Sequence, residues 1–310
     1  MAILPINDSS TIAPVQFLMA SKAPGVLAVI TGIEGPSYRP LGAMMAISKD
    51  QSRAGTLSSG CVESDIVLHA AEALETGAVS VLKYGRGSPF VDIQLPCGGG
   101  LEVTLIPTPD QNILAELRTA HQNRRAVSLV IDLDVGSMRL DQARATGRYD
   151  RDFAIRFDPE IFFYVFGKGP EAATFSALVE TAGFPNVLCS PDEETLVAAK
   201  ERGQVTRHLK SARFPTDLTP DARSAVVLFF HDHEWEPPIL ASACESDAFY
   251  IGAQGSQRAA EARRLELEVM GVSQDNLARV HGPIGLIPSA RDARKLAVSV
   301  LADVMDCADR

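Results

Sequence analysis

The chain has 310 residues, 46% of them hydrophobic and 22% charged, with a net charge of −10. That is enough for two domains with their own cores, and the negative balance argues against a nucleic-acid or anionic-membrane surface while leaving room for a local basic pocket. The five cysteines, Cys61, Cys97, Cys189, Cys244 and Cys307, are widely spaced with no C-x-x-C pair, which argues against a disulfide framework or zinc knuckle; a cysteine that matters here matters as a thiol.

The first residues lack the basic-then-apolar pattern of a signal peptide, and no apolar run approaches the ~20 residues of a membrane span, so a cytoplasmic location is expected. Residues 1–24 read as a loose start and a short helix. A strand over 25–33 leads into Glu34-Gly35-Pro36-Ser37-Tyr38-Arg39-Pro40-Leu41-Gly42, a rigid loop with one conspicuous cation, Arg39. Strands over 43–48 and 53–57 complete a small meander. Ser58-Ser59-Gly60-Cys61-Val62-Glu63 then opens a helix with Ile66, Ala70, Ala73 and Leu74 on one face and Gly77 at its end. Cys61 falls beside the helix start, where free N–H groups and the dipole favour a thiolate. The alternative is a small apolar residue packed under a helix. Strands over 79–84, 92–95 and 101–106 flank Cys97-Gly98-Gly99-Gly100. Successive glycines between strands have no evident packing use; they suit backbone approached by an anion, or else a plain turn. A helix over 110–123 and a hairpin of strands 125–133 and 135–140 follow. Residues 142–158 are polar and mixed and read as the connection between domains, with the boundary near Pro159.

Residues 161–166 are apolar without a break, as in a strand buried on both faces of a parallel sheet. They run into Gly167-Lys168-Gly169-Pro170-Glu171-Ala172, which fits G-x-G-x-x-G/A, the turn from first strand to first helix in a dinucleotide-binding fold. Gly167 allows the turn, Gly169 lets a phosphate approach, and Ala172 lets the helix sit close. Phe175, Leu178, Val179 and Ala182 form the helix's apolar stripe. The second strand, 186–189, ends in Ser190-Pro191-Asp192, with Asp192 capping the next helix rather than holding a ribose. The third, 224–230, ends in His231-Asp232-His233-Glu234 at the carboxyl edge of the sheet. His231 and His233 alternate and so face one way, either as a metal pair or as one loop-bonded and one solvated histidine. A fourth strand, 248–251, leads into Gly255, Ser256 and Arg258, a second candidate anion site at a helix start. Ala262, Leu265 and Val269 are expected to bury that helix, and Arg263 and Arg264 either serve the anion or form a solvated face paired with Glu261, Glu266 and Glu268. Ser289-x-x-Asp292 caps a last helix with Leu296, Val300 and Val304 inward. The expectation is a small mixed α/β domain over 1–158 and a Rossmann-like parallel-sheet domain over 159–310.

Together these stretches resemble the xanthine dehydrogenase accessory-factor family, XdhC/CoxI, over nearly the whole chain. The carriers are Gly35 through Ala43, Gly60-Cys61-Val62-Glu63, Cys97-Gly98-Gly99, the Gly167 turn, His231-Asp232-His233-Glu234, Gly252-x-x-Gly255-Ser256-x-Arg258 and His281-Gly282-Pro283-Ile284-Gly285-Leu286. The resemblance implies a chaperone rather than an enzyme. Such a protein binds molybdenum cofactor (molybdopterin) and helps a cysteine desulfurase install its terminal sulfido ligand. It then hands the cofactor to a molybdenum hydroxylase apo-enzyme of xanthine dehydrogenase type, and it self-associates as a homodimer. Cys61, with Cys97 as a second candidate, would meet the molybdenum; Arg39 and the backbone of Gly98, Gly99 and Gly100 would hold the anionic parts. Two readings compete: an NAD(P)-dependent oxidoreductase using a nucleotide at Gly167 and Gly169, and a nucleotide-set regulatory module.

Overall fold

Two units, Met1–Pro159 and Glu160–Arg310, divide the chain in a computed structural model that describes residues 11–21, 23–86, 88, 95–96, 98–230 and 234–308. Cys97, His231 and His233 lie outside the described residues, as does most of the strand expected over 92–95.

The first unit runs α1 (Ala13–Ala20), β1 (Gly25–Glu34), β2 (Met44–Ser48), β3 (Arg53–Gly55), α2 (Glu63–Thr76), β4 (Ser80–Gly85), β5 (Gly100–Pro107), α3 (Gln111–Gln122), β6 (Val127–Asp132), β7 (Met138–Asp141), β8 (Gly147–Tyr149) and β9 (Asp152–Phe157). An antiparallel sheet has the order β3-β2-β1-β5-β4. Central β1 is apolar from Val26 to Ile30 because both of its faces are covered there. Val26, Ala28 and Ile30 pack with Ile66, Val67 and Ala70 of α2, while Leu27 and Val29 pack with α1, α3 and the β6–β9 layer. Strand alternation sends successive side chains to opposite layers. Asp110 caps α3 by accepting from the N–H groups of Asn112 and Ile113, and Gly77 ends α2 in the left-handed conformation.

Residues 142–158 are not a connection. They carry β8 and β9, and β9 sits inside a second antiparallel sheet of order β7-β6-β9-β8. Phe153, Ala154, Ile155 and Phe157 are buried. The charges that make the stretch look like a loop are cross-strand partners: Asp152 pairs with Arg139 at 2.5 Å and Arg144 at 3.0 Å.

The second unit runs β10 (Phe162–Gly167), α4 (Pro170–Thr181), β11 (Asn186–Ser190), α5 (Glu193–Lys200), β12 (Thr206–His208), β13 (Ser224–Phe229), α6 (Glu236–Cys244), β14 (Tyr250–Ala253), α7 (Gln257–Val269), α8 (Gln274–Ala278), β15 (Val280–His281) and α9 (Ala293–Ala308). Its sheet is parallel throughout, in the order β12-β11-β10-β13-β14-β15. Counted within the unit, that is the doubly wound order 3-2-1-4-5-6. Phe163 and Val165 pack with α4 and α9 on one face, Tyr164 and Phe166 with α6 on the other, so β10 is buried on both sides. In α4, Phe175 and Val179 are buried, but Ala182 is exposed just past the helix end. Asp192 caps α5, and Leu196 and Ala199 face inward.

Two expectations fail here. In α7 the buried residues are Arg263 and Leu267, while Ala262, Leu265 and Val269 are exposed, Val269 at 90%. Arg263 turns inward because buried Glu236 meets it at 2.6 Å and the Gln254 carbonyl accepts from it at 2.7 Å. A buried cation that meets both a carboxylate and a carbonyl is accommodated inside, here with its Nε left without a hydrogen-bond partner. At α9 the cap is Asp292 itself, accepting from the N–H groups of Arg294 and Lys295, and not Ser289. Among the described residues, no helix is long and apolar enough to cross a membrane.

Candidate functional site

In the first unit, a cavity of about 790 Å³ is walled by the β1–β2 loop, β3, the turn into α2, and residues 146–157. Its size is that of a small-molecule site. Gly42, at φ 84°, lets the loop lie against the second sheet; a Cβ there would come within 2.9 Å of Thr146 Cγ2.

One carboxylate shapes the turn between β3 and α2. Glu63 is 3% exposed. Its Oε1 accepts from Thr56 Oγ1 at 2.5 Å, Leu57 N at 2.9 Å and Ser58 N at 2.7 Å. Its Oε2 accepts from Ser58 Oγ at 2.6 Å and Gly60 N at 2.9 Å, with Val62 N farther at 3.3 Å. Burial pushes the carboxyl upward, but the hydrogen bonds from Ser58, Thr56 and the backbone outweigh it and hold the group at about 2. Glu63 is therefore a fixed anion whose lone pairs are used within the loop.

Cys61 is exposed on that turn, directly after Gly60 in the cavity wall. Of the amides on either side of it, Gly60 donates to Glu63, and Val62 donates to Ser58 Oγ at 2.9 Å with Glu63 farther at 3.3 Å; Glu63 and Asp65 stand in the first turn of α2. The positive end of the helix thus meets its own carboxylates rather than being kept for the Cys61 sulfur. Cys61 is also not the small packed residue of the alternative reading, since it is not buried.

Arg39 lines the cavity, and its Nε is buried without a hydrogen-bond partner. Two further arginines line the same space, neither singled out by the sequence. Arg53 is exposed at the start of β3. Arg156 is held from β9 by Asp158 at 2.9 Å and the Gln142 carbonyl at 2.7 Å. The polar stretch 142–158 hid its strand, and its convergence with residues about a hundred positions earlier shows only in the fold. With the lining carboxylate already satisfied, the cavity offers positive charge to an anion inside an acidic chain.

Gly99 and Gly100 do have a packing use, whereas a Cβ on Gly98 would meet nothing within 4 Å. A Cβ on Gly99 would stand 2.0 Å from the Pro36 carbonyl oxygen, and one on Gly85 would stand 2.2 Å from that of Gly99. The loop lies against the Gly35-Pro36 turn, and only glycine fits there. Gly98, at φ 72°, donates its N–H to the Leu95 carbonyl.

In the second unit, Gly167 serves contact between strand and helix: its Cβ would meet Phe229 O at 2.8 Å and Ala172 Cβ at 2.9 Å. Gly169, at φ 80°, donates its N–H to Thr195 Oγ1 at 3.0 Å. The Glu171 carboxylate lies 3.9 Å from where a Gly169 Cβ would be. Ser256 caps α7 by accepting from Ala259 N–H, beside Gly255, and Arg258 is exposed on the first turn. Among the described residues, no three His, Cys, Asp or Glu side chains are grouped to hold a metal.

Comparison with known proteins fits this layout. The model of the XdhC Rossmann domain matches residues 163–304, and that of the XdhC and CoxI family matches residues 18–85. The chain is 33% identical over 291 residues to the molybdenum cofactor insertion chaperone PaoD of Escherichia coli K12, covering 94% of this chain and 85% of that protein. It is 23% identical to a probable xanthine dehydrogenase subunit of Bacillus subtilis, covering 94% and 96%. A crystal structure described as a xanthine dehydrogenase from Bacillus halodurans superimposes with a TM-score of 0.79 at 21% identity, over 97% of this chain and 96% of that one, which is a likeness of fold. The glycine turn opening the parallel sheet falls inside one matched segment and the Glu63-moulded turn inside the other; with a relative one-third identical along nearly the whole length, the chain belongs to the XdhC and CoxI family.

Proposed function

We propose that this protein is an accessory factor that binds molybdenum cofactor in the first-unit cavity, supports its sulfuration by a cysteine desulfurase, and delivers it to an apo-hydroxylase of xanthine dehydrogenase type, acting as a homodimer. The observation that carries the reading is the buried, unpartnered Nε of Arg39 in a cavity shared with Arg53 and Arg156. A buried donor without an acceptor costs about 1–3 kcal/mol, which an anionic ligand relieves. The cargo is a pterin bearing a phosphate and a dithiolene-bound molybdenum. Arg39, Arg53 and Arg156 would take its anionic groups. Cys61, exposed one residue beyond the cavity wall, offers a soft thiol to the metal end, with Cys97 a second candidate. Glu63 keeps the Ser58–Gly60 backbone in shape and touches no cargo. Gly99 supports the loop around Pro36.

A nucleotide at Gly167 and Gly169 fits the second unit less well. The Gly169 N–H is committed to Thr195, Pro170 has none, and a carboxylate, Glu171, lies beside Gly169. The same holds for an oxidoreductase built on that turn. The test is to isolate the protein from a host that makes the cofactor, oxidise it, and measure pterin fluorescence and molybdenum, with calorimetry against NADH and NADPH in parallel. Pterin and molybdenum at comparable amounts per chain are expected. Tight nicotinamide binding with no pterin would overturn the proposal.

A further inference from the structure

The three arginines of the first-unit cavity are not equivalent. Arg156 already has a counter-charge in Asp158 at 2.9 Å, and the Gln142 carbonyl accepts from it at 2.7 Å. The guanidinium groups of Arg39 and Arg53 have no hydrogen bond or ion pair among the described residues. The other charged residue in the lining is Glu63, whose lone pairs are used within its own turn. The uncompensated charge of the cavity is therefore that of Arg39 and Arg53.

Those two stand in different surroundings. Arg39 is half-buried and its Nε is shut off from solvent. Its backbone is pinned, because Ser37 Oγ donates to the Arg39 carbonyl at 2.7 Å and the loop is tied to β1 where Gly42 N–H donates to the Ile30 carbonyl at 2.9 Å. Arg53 is exposed at the first residue of β3, the edge strand of its sheet. The strand itself is seated closely: a Cβ on Gly55 would stand 2.4 Å from the Met44 carbonyl oxygen. On the turn before it, Asp50 is taken up by Ser48 and Ser52 and makes no pair with Arg53. Lys49, exposed on that turn, does not line the cavity.

We infer that the two arginines divide the work on an anionic ligand: Arg53 draws it in, and Arg39 holds it. This division rests on the reading of the cavity as a site for an anionic pterin. A chain of net charge −10 repels an anion at long range, and a solvent-facing cation at the cavity offsets that repulsion wherever screening is weak. Such a charge acts on encounter. A half-buried guanidinium acts after docking, and its loss shortens the stay of the bound ligand.

The test uses the full chain and a fluorescent oxidised pterin carrying one phosphate. Association and dissociation are followed by stopped flow at about 10 mM and about 1 M salt, where the screening length is about 30 Å and about 3 Å. Arg53→Gln should slow association about fivefold at low salt and leave it unchanged at high salt, with dissociation altered less than about twofold. Arg53→Lys should restore the rate, because steering needs charge and no fork geometry. Arg39→Gln should speed dissociation about tenfold at both salt concentrations, and Arg39→Lys should not restore the stay, because lysine lacks the planar guanidinium fork. Equal association rates for wild type and Arg53→Gln at low salt, or a dissociation rate that follows Arg53 and not Arg39, would overturn the division while leaving the anionic cavity standing. No binding of the pterin phosphate by the folded wild type would overturn the reading of the cavity and the division with it.

Discussion

Two glycine turns lead into helices, one before α2 and one before α4, and they put the same geometry to different ends. Before α4, Gly167 lets β13 and α4 close on the strand, and the amide of Gly169 is taken by Thr195. Before α2, the turn wraps Glu63, and this leaves Ser59, Gly60 and the exposed Cys61 beside a cavity carrying three arginines. A glycine-rich helix start is thus no evidence of a ligand by itself. What matters is whether its donors are already satisfied by the chain and whether unsatisfied charge stands nearby.

The sharpest way to separate the two turns is at Cys61. Cys61→Ala should abolish retention of molybdenum cofactor while changing stability by no more than about 0.5 kcal/mol, since the side chain is exposed; pterin content and thermal melting report the two effects. Unchanged retention would remove Cys61 from the site.

Glu63→Gln comes next, and should destabilise the protein by about 2–3 kcal/mol at neutral pH, because an amide cannot accept all the bonds the carboxylate does. The sign of its pH dependence follows from the lowered value. The group sits at about 2 against its ordinary 4.5, so its contribution is complete above about pH 4.5 and is lost as pH falls toward 2. Denaturant titrations should therefore show the wild-type advantage shrinking across that window.

At the other turn the effects are on folding alone. Gly167→Ala should cost about 1–3 kcal/mol by forcing a methyl against Phe229 and Ala172. Gly169→Ala, at positive φ but facing open space apart from Glu171, should cost about 1 kcal/mol. Both variants should keep the cofactor, measured as pterin per chain. A loss with either would make the second turn part of the site.

The contrast also marks where the sequence was readable. The parallel-sheet unit showed in the apolar run 161–166, the glycine turn and the capping residue Asp192, because these are local patterns of burial and backbone geometry. Residues 142–158 misled because Asp152 looks like a loop residue until Arg139 and Arg144 stand beside it. The α7 stripe misled because periodicity shows that a face is apolar, not which side is covered, and Arg263 found Glu236 inside. Arg39 and Cys61 drew notice from their neighbours. Arg53 and Arg156 did not, since only the packing of β3 and β9 brings them to one cavity.

The central claim is that positive charge in that cavity holds an anionic pterin. It is tested most directly by the pterin retained per chain in wild type and in Arg39→Gln, both isolated from a host making the cofactor. The account predicts near-stoichiometric pterin in the wild type and a roughly tenfold or greater fall in the variant, from loss of a charge-assisted bond to the guanidinium whose Nε is buried and unpartnered. Equal pterin in the two proteins, both folded, would contradict it.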